Sequence, residues 1–138
     1  MTSFTISLQV HHVARDLNFL TESLATQPVF CLRAGQQVGT TVRKTSVWHA
    51  LLFQGSTHQH FEMALEALLR FLKQHDETLA EFAGEDGLLE TLFTFTIPVS
   101  QAQAGDMAHS VNLHPFLLYE LSSRQIGVKV QTAFAAAT

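Results

Sequence analysis

The chain has 138 residues, 46% of them hydrophobic, with eight Lys and Arg against twelve Asp and Glu and a formal charge of −4. That length suits one domain able to bury about two-thirds of its unfolded surface. The basic residues Arg15, Arg33, Arg43, Lys44, Arg70, Lys73, Arg124 and Lys129 are scattered, which excludes the dense cationic surface that a nucleic-acid binder or a polybasic membrane patch requires.

Eleven residues are Phe, against one Trp and one Tyr, and Phe brings no polar atom into a core. Cys31 is the single cysteine. It has no internal disulfide partner, so the fold does not depend on oxidation and a cytoplasmic location is expected. No basic stretch followed by an apolar run marks a signal peptide after Met1. No apolar segment approaches the roughly 20 residues of a membrane helix.

Phe4, Ile6, Leu8 and Val10 alternate with polar residues and predict a strand over 4–10. Leu17, Leu20 and Leu24 then stand at helical spacing with Arg15, Asp16 and Glu22 on the other side, predicting a helix over about 14–25. Gln27-Pro28 ends it. Residues 29–39 read as a loop or irregular strand broken by Gly35 and Gly39, and Thr40–Val42 as the start of a strand. Thr45 to Phe53 is a stronger strand, closed by Gln54-Gly55-Ser56.

Ser56 or Thr57 can cap a long helix, in which Phe61, Leu65, Leu68, Leu69 and Leu72 form one apolar stripe. Glu62, Glu66, Arg70 and Lys73 take its other side, with Glu66 and Arg70 a favourable i, i+4 pair. Asp76-Glu77 introduces a short amphipathic helix with Leu79 and Phe82 inward, ended by Gly84 and Gly87. Leu89 to Val99 reads as a buried strand stopping at Pro98, and 100–112 as a polar surface loop. Pro115 suits the first turn of a helix carrying Phe116, Leu117, Leu118 and Leu121. Arg124 complements the dipole at its end. Ile126, Val128 and Val130 alternate as a last strand, before a small-residue tail from Ala133.

Strands and helices thus interleave along one undivided domain, 1–138. Amphipathic helices of this kind need a sheet to bury against, which gives a two-layer α+β fold: a mainly antiparallel sheet with helices on one face, ferredoxin-like or related. A three-layer parallel α/β domain is the runner-up, weakened by the lack of a glycine-rich strand-to-helix turn.

No local motif supplies chemistry. A metal site needs three or four converging ligands. His11-His12 at a strand end point to opposite faces, His58 and His60 do not share a helix face, and His109 and His114 have no defined geometry. Surface or capping histidines are the favoured reading. Cys31 between Phe30 and Leu32 reads as a small buried hydrophobe rather than a nucleophile. Trp48 beside His49 has two readings, core residue and interface anchor, and its apolar strand favours the core. Gly35 and Gly39 do not form a phosphate loop, and no cofactor is implied. Glu81, Glu85, Asp86 and Glu90 make a local acidic stretch. It reads as a solvated face that can also dock a basic protein partner.

Several landmarks in order carry a resemblance. They are the strand Phe4–Val10, the Leu24-Ala25-Thr26-Gln27-Pro28 helix end, Gly35, Ser46-Val47-Trp48 and the long helix around Phe61–Leu72. Leu113-His114-Pro115-Phe116-Leu117 and Ile126-Gly127-Val128-Lys129-Val130 complete the set. Together they resemble the bacterial family known as domain of unknown function 4279. Members often close with an aromatic soon after the last strand; Phe134 is the candidate here, and the alanine tail departs from that pattern. The resemblance implies a fold class and no chemistry. By analogy, small acidic α+β proteins of this general look include immunity proteins that neutralise toxins.

The favoured expectation is a non-catalytic protein-binding protein, with toxin neutralisation its specific form. The alternative is a small enzyme, or a metal- or small-ligand-binding protein, using dispersed histidines: His49, His58, His60 and His114. Self-association through a free sheet edge, as in a homodimer, is a third reading.

Overall fold

The computed structural model describes residues 4–56, 58–99 and 113–134. In chain order the elements are β1 (Phe4–His12), α1 (Phe19–Ser23), β2 (Phe30–Leu32), β3 (Gln37–Val38), β4 (Thr41–Val42) and β5 (Ser46–Gly55). Then follow α2 (His58–Gln74), α3 (Asp76–Ala83), β6 (Leu88–Val99), α4 (Pro115–Ser123) and β7 (Gly127–Phe134). Five strands form one sheet in the order β2-β5-β1-β6-β7, and β3 and β4 make a separate small hairpin. Every pair is antiparallel except β6 with β7. The two-layer α+β architecture expected from the sequence is therefore the one observed, with one parallel pair at the edge.

The alternation in β1 sets the layers. Phe4, Ile6, Leu8 and Val10 are all buried on the helix-covered face. Phe93 and Phe95 of β6 lie beside Leu8 and Ile6 and are completely enclosed. Trp48 and Ala50 stand opposite Val10 and Leu8. A bulge at Leu52 shifts the register, so Ile6 faces Phe53 and Ser7 faces Leu51. This extra residue explains why Ala50 to Phe53 shows no clean period of two. From α2, Phe61, Ala64, Leu65, Leu68 and Leu72 close the core, and Phe61 meets Phe4 edge-on at 5.1 Å. The start of α2 comes so close that a Cβ on Gly55 would lie 2.7 Å from His60 Cβ and 2.8 Å from the Phe4 ring.

Four expectations are corrected. The first helix covers only Phe19–Ser23 instead of 14–25. The backbone N–H groups of Ala14 and Arg15 donate to the His12 ring, and that of Asn18 to the Asp16 carboxylate, so the chain is held in turns before the helix begins. Leu17, Leu20 and Leu24 still reach the core. The stretch 29–39, read as a loop or irregular strand, holds two separate short strands, β2 and β3, while β4 falls where Thr40–Val42 is expected to begin one. β6 runs through Pro98 instead of stopping there: its ladder with β1 ends at Thr96, and Pro98 falls beyond, paired in register only with Ala133 of β7. Ala133 and Phe134 belong to β7, not to a tail. The cap at Thr57, the loop at 100–112, His109 and the tail after Phe134 lie outside the described residues.

Arg124 does more than complement the dipole of α4. Its guanidinium, 10% exposed, pairs with Glu120 at 2.7 Å and with Asp76 at the head of α3 at 2.8 Å, tying the two helices together.

Two histidines couple this packing to pH. His49 stacks on Phe30 with centroids 5.1 Å apart and rings nearly parallel, and its buried Nδ1 has no hydrogen-bond partner among the described residues. Burial lowers its pKa from 6.5. His75 packs on Phe71, and burial lowers its pKa too, partly offset by a hydrogen bond to the Ser23 backbone. Both are thus easier to protonate unfolded than folded. Their contribution to stability is complete above pH 6.5 and declines as the pH falls through 6.5 towards their folded values. Urea denaturation at stepped pH should show stability falling on acidification, with a shallower slope in His49→Phe. An unchanged slope would remove His49 from the account.

Candidate functional site

Where β1 ends, the chain must leave the sheet and start α1, and His12 organises that exit. It is buried on the core face, whereas its neighbour His11 lies on the other face, partly exposed. His12 Nδ1 accepts from the backbone N–H groups of Ala14 at 3.0 Å and Arg15 at 2.9 Å. Its Nε2 donates to the Asp86 carbonyl at 3.0 Å. Two donors on Nδ1 place the ring proton on Nε2. The ring thereby joins the β1–α1 turn to the α3–β6 turn, and Val13 N–H adds a bond to the Gly87 carbonyl.

This knot sets Arg15 and Glu85 side by side. Arg15 Nη1 donates to Glu85 Oε1 at 2.5 Å, and its guanidinium carbon sits 3.8 Å from the centre of the Phe19 ring. Phe19 packs in turn against Phe82, centroids 5.7 Å apart. Between α1 and α3 lies a groove of about 450 Å³, with Arg15, Phe19 and Ser23 on one wall and Thr78, Glu81, Phe82 and Glu85 on the other. Asp16, Glu22, Glu77 and Asp86 adjoin these residues in sequence. The groove lining thus combines two aromatic rings, Phe19 and Phe82, with two carboxylates, Glu81 and Glu85. The Arg15–Glu85 pair is partly exposed, so it contributes only about 0–1 kcal/mol, and its effect is mainly on geometry.

Of the acidic stretch read from the sequence, Glu81 and Glu85 meet in this groove. Asp86 contributes its backbone carbonyl to His12. Glu90 is elsewhere: it stands opposite His11 in the β1–β6 ladder, on the sheet face away from the described helices. Arg15, Phe19 and His12 are the residues sequence reasoning missed as site-builders. Arg15 and Phe19 are four residues apart, a spacing that can stack a guanidinium on a ring, but the carboxylate completing the set is 70 residues away.

The histidines singled out from the sequence stand apart. His49 is on the sheet face opposite the helices, against Phe30. His60 borders a separate shallow depression with Gln54, Gly55 and Ser56. His114 caps α4, its Nδ1 accepting from the Phe116 N–H at 3.4 Å, and His58 opens α2. Among the described residues no three His, Cys, Asp or Glu side chains group so as to hold a metal ion. Cys31 lies on the core side of β2, half-buried. Burial, and then the Asp16 carboxylate, push its thiol pKa upward, away from the reactive thiolate. Trp48 is fully enclosed and donates to the Thr21 hydroxyl at 3.3 Å, which makes it a core residue. No helix among the described residues is long and apolar enough to cross a membrane. The chain matches no family model, and no curated protein or solved structure is similar enough to it to count as a match.

Proposed function

We propose that this is a non-catalytic protein-binding protein whose α1–α3 groove receives an arginine or lysine side chain of a basic protein partner. The observation that carries this reading is Arg15: the groove already holds one guanidinium, over the Phe19 ring and hydrogen-bonded to Glu85. Phe82 and Glu81, which also line the groove, offer a second aromatic ring and carboxylate for a partner's cation. Glu81, on the opposite wall, makes no ion pair among the described residues and is free to meet it. Neutralisation of a toxin is the specific form of this reading, supported by small size and a formal charge of −4.

The test is to isolate the protein that the immobilised chain retains from native cell extract, then measure its affinity by calorimetry. Glu81→Lys should weaken binding about tenfold or more, since it replaces an attraction with a repulsion, and added salt should weaken the wild-type complex. Affinity indifferent to both would reject the groove as the binding surface. In the immunity form, the retained protein is toxic to cells, and co-expression of wild type but not Glu81→Lys relieves the toxicity.

A further inference from the structure

The two edges of the main sheet are finished differently. At one end β2 is only three residues long, a common way to deny an intruding strand a template. At the other end β7 offers eight residues in continuous register with β6, without a bulge or a proline. Among the described residues no strand lies beyond it.

The helical layer is unfinished at the same place. α4 packs on β7, with Leu117 and Leu121 inward. Glu120 and Arg124 occupy its α3 side, where Arg124 reaches Asp76. At about 100° per residue, Leu118 and Ser122 then fall on the flank turned away from α3, above the outer side of β7. Leu118 is 42% exposed, and Val130, on the core face of β7, is 47% exposed. Tyr119 and Phe116 extend the apolar surface of α4 outward.

We propose that a second copy of this chain completes both layers, β7 pairing antiparallel with β7 of the partner subunit across a two-fold axis. Only an occupant that carries a strand and an apolar helix side by side covers Val130 and Leu118 together, and a symmetric copy brings both in matching positions. An isolated peptide strand satisfies the ladder and leaves α4 bare.

Symmetry and charge also select the register. Residues directly opposite in an antiparallel pair share a face, so the two core faces coincide only when the residue numbers of a pair sum to an even value. Centring the axis on Lys129 opposes two ammonium groups. Axes centred on Val128, Val130 or Gln131 oppose no like charges; of these, the Val130 axis sets the more exposed core-face valine against its counterpart, with Lys129 against Gln131.

Size-exclusion chromatography with light scattering on the whole chain should give twice the monomer mass. Val130→Lys puts two cations in opposition at the axis and should return the monomer mass, with a far-ultraviolet spectrum like that of wild type. In a Cys31→Ser background, Val130→Cys should form an intermolecular disulfide under mild oxidation, because opposite residues lie about 4.5–5.5 Å apart, within disulfide reach. Lys129→Cys, displaced from its symmetry mate, should not. A wild-type chain that is monomeric at its highest soluble concentration overturns the proposal. So does a dimer that Val130→Lys leaves intact, or one that Lys129→Cys cross-links as well as Val130→Cys.

Discussion

Trp48→Ala should destabilise the protein by about 3–5 kcal/mol, the range for removing a large aromatic side chain from a closed core. Trp48 has no exposed surface, and its strand sits between β1 and β2 with its side chain on the helix-covered face. Substitution removes the indole from beside Val10 and Ala50 and leaves the Thr21 hydroxyl without its donor. The loss is then part cavity and part unpaired polar group. Equilibrium urea unfolding measures it directly. Trp48→Phe, which keeps most of the volume and discards only the N–H, should cost much less. A small effect of Trp48→Ala would mean that α1 and α2 collapse into the space, contrary to a tightly filled core.

The second large effect is expected at Gly87. Its φ is +86°, in the region that L side chains rarely adopt, and a Cβ built there would lie 2.9 Å from His12 Cε1. Gly87→Ala therefore combines backbone strain with a collision against a ring that its own hydrogen bonds prevent from moving. Strain of this kind costs about 1–3 kcal/mol, and displacing His12 adds the loss of its bonds to Ala14, Arg15 and Asp86. A total of about 2–4 kcal/mol is expected from these terms together. The same substitution should disturb the groove, because His12 sets the turn that carries Arg15. Amide hydrogen exchange should show faster exchange at Ala14 and Arg15 than at the centre of β1. If those amides stay as protected as in wild type, His12 is not the organiser of that turn.

The layers of this fold were legible in the sequence wherever one local period ran long enough. Phe4 to Val10 at period two and Phe61 to Leu72 at helical spacing predict elements that the structure contains. The failures share a cause, which is that a long-range contact overrode a local pattern. Leu17, Leu20 and Leu24 keep helical spacing, yet only a short helix forms because the His12 ring captures the amides before it. Pro98 reads as the end of a strand, yet β6 continues through it in register with β7. The groove shows the same limit. Glu81 and Glu85 were visible as an acidic stretch, but Arg15 and Phe19 join them only through the folded turn at His12. No spacing rule along the chain connects residues so far apart.

The position of β1 has a consequence for how the protein is made. It is flanked by β5 and β6, with Phe4 opposite Gly55 and Thr5 opposite Thr96. As the ribosome delivers the chain, this strand, with its apolar face of Phe4, Ile6, Leu8 and Val10, emerges well before either neighbour exists. It must therefore wait in an unpaired state, its first ladder available only when residues near 55 have cleared the exit tunnel. Structures that depend on such distant pairings fold more slowly than helical bundles, commonly in milliseconds to seconds. The interval is also when an apolar strand is most open to capture by a chaperone or by a neighbouring nascent chain.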